Sequence, residues 1–89
     1  MIIEVQELSA SEFQVTVTEG GSLTRHTVTV PDGLYQKLTQ SKIDKAACVR
    51  AAFAFLLDRE PKESIMSRFD LPVISRYFPE FERKFADYV

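Results

Sequence analysis

Apolar and polar residues alternate in three short runs along the first third of the chain, then give way to helical spacing. In residues 2–8, IIEVQEL, Ile3 and Val5 fall on one side and Glu4 and Gln6 on the other, the period-two pattern of a half-buried strand. Residues 13–18, FQVTVT, alternate without a break, with Phe13, Val15 and Val17 on one face and Gln14, Thr16 and Thr18 on the other. Gly20-Gly21 follows, a pair able to supply the two positive φ angles of a tight hairpin, and residues 23–30, LTRHTVTV, return as a third strand. With Gly20-Gly21 as a two-residue loop, Val17 faces Thr24, Val15 faces His26 and Phe13 faces Val28, while Gln14 meets Thr27 and Thr16 meets Arg25 on the opposite face. Because a slip of one residue would turn every apolar side chain to water, this match of like with like selects the register. Residues 2–30 are therefore predicted to form a three-stranded antiparallel meander.

From Pro31 the period lengthens. Asp32 is suited to cap a short helix from Gly33 to about Thr39, with Leu34 and Leu38 four residues apart. Ser41 and Asp44 resemble a capping box at the head of the dominant stretch, Ile43–Arg59, in which only Arg50 is not apolar between Ala46 and Leu57. A helix apolar on most sides is covered on two sides, so this stretch is expected to be the central pillar. It stops before Pro61, because the residue preceding a proline is pushed out of the α region. Lys62–Phe69 is read as a third helix carrying Ile65, Met66 and Phe69 on one side. A fourth is read from Asp70-Pro72 onward. Its Val73, Ile74, Tyr77, Phe78, Phe81, Phe85 and Tyr88 fall within roughly 140° of arc, with an interruption near Ser75–Phe78 imposed by Pro79. The expected architecture is α+β, a single domain over 1–89 in the order βββαααα: a meander over 2–30, then a helical part over 33–89 on one face of the sheet.

Composition narrows the function. With 45% hydrophobic and 27% charged residues the chain is an ordinary globular domain rather than a disordered one. One cysteine rules out an internal disulfide and a multi-cysteine metal site, and fits a reducing compartment. The first residues carry acids and no basic segment, so no signal peptide is read. No apolar run nears the ~20 residues of a membrane span, and a cytoplasmic location without membrane contact is expected. The net charge of −2 is not that of a general nucleic-acid-binding protein, although residues 1–23 hold four acids and no base, which leaves every cation to the remainder of the chain.

Candidate chemistry is sparse. His26, on the inward face of its strand, is read as a buried, hydrogen-bonded side chain, and Cys48 as a small core residue. No carboxylate or imidazole set has metal-ligand spacing, and the three glycines form no phosphate loop. No catalytic residue, metal or cofactor is therefore assigned. Three features point to binding. Arg50, inside the apolar helix, either snorkels to the surface, pairs internally or meets a ligand anion. Tyr77, Phe78, Phe81, Phe85 and Tyr88, five aromatics in twelve residues, form a candidate interface for a protein partner or a second copy, as in a homodimer. The outer sheet face presents Gln14, Thr16, Arg25, Thr27 and Thr29, with no aromatics to stack bases.

Residues 24–59 resemble the ribbon-helix-helix transcriptional regulators and antitoxins. They share an alternating polar strand, a Pro31-Asp32 helix start, a short helix and an alanine-rich second helix containing Val49-Arg50-Ala51-Ala52 and Phe55-Leu56. That resemblance implies a dimer whose paired strands place Arg25, Thr27 and Thr29 in the DNA major groove. In this chain, unlike that pattern, the strand is preceded by its own Gly-Gly hairpin. The residues thus favour a small cytosolic interaction module without catalytic activity, with a DNA-binding regulator or antitoxin as the alternative.

Overall fold

The computed structural model describes residues 1–89. Strands β1 (Ile2–Glu7), β2 (Glu12–Glu19) and β3 (Ser22–Thr29) form the expected meander. Val17 pairs with Thr24, Val15 with His26 and Phe13 with Val28, the register chosen by the apolar pattern. Gly20 and Gly21 take φ of 63° and 82°, left-handed values that make glycine the natural residue at both turn positions. Helices α1 (Asp32–Thr39) and α2 (Lys45–Leu57) follow. Asp44 alone caps α2, its carboxylate accepting from the Ala47 N–H at 2.8 Å; such a cap contributes about 1 kcal/mol. Ser41 is not part of it. At α1 the capping residue is Pro31 and Asp32 is the first helical residue, where it ion-pairs with Lys45.

The segment read as a third helix is not one. Lys62–Ser64 make a single 3-10 turn, and Arg68–Asp70 form a fourth strand, β4, parallel to β3. The sheet is thus four-stranded and mixed, in the order β1-β2-β3-β4, with α1 and α2 in the crossover that a parallel pair requires. The alternation of exposed Arg68, buried Phe69 and exposed Asp70 is strand-like. The tail is also more broken than one kinked helix. It comprises α3 (Val73–Tyr77), α4 (Phe81–Lys84) and a 3-10 turn over Phe85–Tyr88. Phe78 leaves the helical region, at φ −131° and ψ 86°, because Pro79 follows it.

Helix α2 is enclosed on two sides, as its composition requires. It packs on β1 and β2 with one face and on the terminal 3-10 turn with another. Phe53 and Phe55, two positions apart and so roughly 200° apart around the axis, divide the task. Phe53 reaches His26 and Phe69 at the sheet, with ring centroids 5.4 and 6.0 Å away. Phe55 reaches Phe78, Phe81 and Tyr88 in the tail, at 5.9, 5.0 and 5.7 Å. The outer face of the sheet carries the half-exposed Gln14, Thr16, Thr18, Thr27 and Thr29. No helix is long and apolar enough to cross a membrane.

Candidate binding cleft

A proline on either side limits α3 to five residues, and the 3-10 turn before β4 fills less space than a helix would. Between them, against the end of α2, lies an open cleft of about 360 Å³. Leu56 supplies its floor from α2, Ile65, Met66 and Phe69 one wall, and Val73, Ile74, Tyr77 and Phe78 the other; eight of its ten lining residues are hydrophobic, Glu60 and Ser64 being the others. Met66 and Tyr77 stand 42% and 67% exposed at its rim. A second recess of about 410 Å³ shares Met66, Phe69, Val73 and Tyr77 with the first and adds Thr29, Arg68, Asp70 and Arg76. The two adjoin along these four side chains, the first an apolar chamber and the second, half of whose lining is polar, its mouth.

His26 positions one wall of this cleft. Its Nδ1 lies 2.8 Å from the Met66 carbonyl and its Nε2 lies 2.8 Å from the Thr24 hydroxyl. A carbonyl can only accept, so Nδ1 carries the proton, and in the neutral ring Nε2 accepts from Thr24. The imidazole, only 2% exposed, therefore ties β3 to the residue entering β4. The sequence identifies His26 as buried and hydrogen-bonded, but its partner lies forty positions away and no local pattern announces it.

Of the five aromatics proposed as an interface, Tyr77 and Phe78 line the cleft. Phe81 and Phe85 are instead core residues, 0% and 2% exposed, packed edge to face at 5.8 Å. They point at α2, so the aromatic stripe does not form a continuous surface. Tyr88 is half-buried and held by its hydroxyl, which donates to Asp58 at 2.7 Å and accepts from Arg59 at 3.2 Å. Arg59 also lies 3.7 Å from the centre of the Phe55 ring and ion-pairs with Glu80 at 3.1 Å. Its guanidinium pKa is raised, first by the Tyr88 hydrogen bond. The Glu80 carboxyl is held below its ordinary value by its own backbone amide and then by Arg59. Together these groups fasten the tail to the end of α2.

Arg25, Thr27 and Thr29 do share the open sheet face, but β3 is paired on both edges, with β2 along its length and with β4 at Thr27–Thr29. The Thr29 hydroxyl is engaged by Asp70. Arg50 is exposed and belongs to none of the five ion pairs, so it extends into solvent. The Cys48 thiol is buried, which pushes its pKa up to about 11 and makes the thiolate scarce. No group of three or more His, Cys, Asp or Glu side chains is assembled as a metal site. Lys62, unremarked in the sequence, is 5% exposed with its ammonium 2.6 Å from Glu63. Compared with protein-family models, with curated proteins and with solved structures, the chain matches none.

Proposed function

We propose that this domain is a small binding module, not an enzyme, and that its working surface is the cleft between α2, Ile65–Phe69 and α3. The observation that carries this reading is the cleft itself: a recess of about 360 Å³ lined mainly by apolar side chains, with Met66 and Tyr77 exposed at its rim. Open apolar surface forgoes roughly 25 cal/mol for each Å² left in water, so a partner that covers it recovers that free energy. A non-catalytic role is supported by the state of the two most reactive side chains. The thiol is buried and protonated, and both imidazole nitrogens are committed to structural hydrogen bonds.

The test is an NMR titration of the isotope-labelled protein with small aromatic amides, such as N-acetylphenylalanine amide. Shifts confined to Leu56, Ile65–Phe69 and Val73–Phe78, and abolished by Val73→Glu in a variant that keeps the wild-type circular dichroism, support the cleft. Shifts scattered over the molecule, or none, refute it.

A second reading, the DNA-binding regulator, draws support from Arg25, Thr27 and Thr29 lying together on the uncovered sheet face. The pairing of β3 on both edges weighs against it, because the dimeric ribbon needs one of those edges. Titration with duplex DNA across salt concentrations separates the two. A groove reader binds with affinity falling steeply as salt rises.

A further inference from the structure

Resting on the binding-module reading, the following names what the cleft takes. We propose that its ligand is an extended peptide segment that adds to the free edge of β4, inserts a large apolar side chain into the chamber and sets a neighbouring carboxylate against the arginines of the mouth.

Backbone geometry gives the first argument. Ser67 O accepts from Thr27 N at 2.8 Å and Leu71 N donates to Thr29 O at 2.9 Å, so in this parallel ladder residues 67, 69 and 71 turn their peptide groups toward β3. Those of Arg68 and Asp70 therefore point away from the sheet, along the edge bordering the mouth. An exposed edge beside an apolar pocket is the arrangement by which domains capture extended peptides as an extra strand. β1, the opposite edge, is longer, but none of its residues lines either recess.

Charge supplies the second argument. Arg76 forms no ion pair, and Arg68, whose side chain is 71% exposed, holds only the Glu12 carboxylate at 3.2 Å, a pair open to displacement. Asp70, the one acid lining the mouth, accepts from the neutral Thr29 hydroxyl and keeps its charge, so two arginines there face one carboxylate; Glu60 lines only the chamber. Arg76 is thus the one cation of the mouth without an ion pair and the group that would meet a carboxylate. Alternation along a strand delivers it, because a residue next to one pointing into the chamber emerges on the outer face, where Arg68 lies. Size is the third argument. A chamber of about 360 Å³ holds one or two large side chains, whereas a docked helix about 10 Å across needs a long groove.

The test uses fluorescence anisotropy with the capped pentapeptide Thr-Phe-Asp-Val-Thr, a version with Lys in place of Asp, a version N-methylated at alternate backbone amides, and dodecanoate as competitor. The Asp peptide is expected to bind at least roughly tenfold more tightly than the Lys and N-methylated versions. Arg76→Gln, on an exposed side chain, should remove most of the preference for Asp over Lys. Equal affinity for the Asp and Lys peptides, indifference to N-methylation, tighter binding of dodecanoate than of peptide, or concentration-dependent self-association through this face would each overturn the proposal. If the aromatic amide still binds under those results, the cleft remains a binding site and only the peptide assignment falls. If it fails to bind as well, both readings fall.

Discussion

Replacing Phe55 tests whether the tail is part of the folded core or merely rests on it. The ring is 0% exposed, meets Phe78, Phe81 and Tyr88 at interplanar angles of 81°, 63° and 80°, and carries the Arg59 guanidinium over its face. Phe55→Ala removes the ring from between α2 and a tail pinned by Tyr88 and Glu80, so the void closes poorly and the cost should reach about 3–5 kcal/mol. A domain of this length has a total stability of about 4–13 kcal/mol, so this variant loses about a quarter of its stability or more. Phe55→Leu is the more discriminating change. It retains most of the buried apolar area but gives up three aromatic edges, each contributing about 0.5–1.5 kcal/mol, and an arginine–ring contact of about 0.5–1 kcal/mol. Leucine's own contacts replace part of this, leaving an expected loss of about 2 kcal/mol. Urea unfolding followed by far-UV circular dichroism should show a lower midpoint with an unchanged slope, and Tm should fall by roughly 8–16 °C. Combining Phe55→Leu with Phe81→Leu should give a coupling of at least about 0.5 kcal/mol. Both single variants lying within about 0.5 kcal/mol of wild type would show that the tail does not pack on α2.

Two further outcomes are expected. Glu80 and Glu63 have carboxyl pKa values lowered in the folded state, Glu80 by its own amide and then Arg59, Glu63 by Lys62 and then its own amide. A depressed folded-state value stabilises the protein above the unfolded-chain pKa and loses that contribution as pH falls through the folded one. The urea midpoint should therefore drop between about pH 5 and pH 3, less steeply in Glu80→Gln; parallel acid limbs would remove Glu80 from the account. His26→Leu orphans the Met66 carbonyl and should cost about 1–3 kcal/mol. It should also speed hydrogen exchange at Phe69 and Leu71, and unchanged protection there would mean that His26 does not hold β4 in place.

The parts of this fold legible in the chain are those whose causes are local. Alternation in FQVTVT and LTRHTVTV, with Gly20-Gly21 between them, specifies the hairpin and its register, because a one-residue slip would expose Phe13, Val15 and Val17 together. The apolar stretch around Phe53 and Phe55 specifies a helix covered on two sides, and Pro61 and Pro79 specify breaks through the missing N–H and the crowding of the preceding residue. β4 is different in kind. Three residues are too few to show a period, and Lys62–Phe69 reads equally well as a helical stripe; Arg68–Asp70 is a strand because Thr27–Thr29 offers an unpaired edge. Which aromatics of the tail are core and which are surface was likewise settled by packing. Phe81 and Phe85 meet α2, whereas Tyr77 faces the space left where a short turn and strand stand in place of a helix. The cleft is that leftover space, bounded by residues from 56 to 78 and steadied by a histidine on β3. Its existence depends on how long-range contacts close around α2, which no window of neighbouring residues contains.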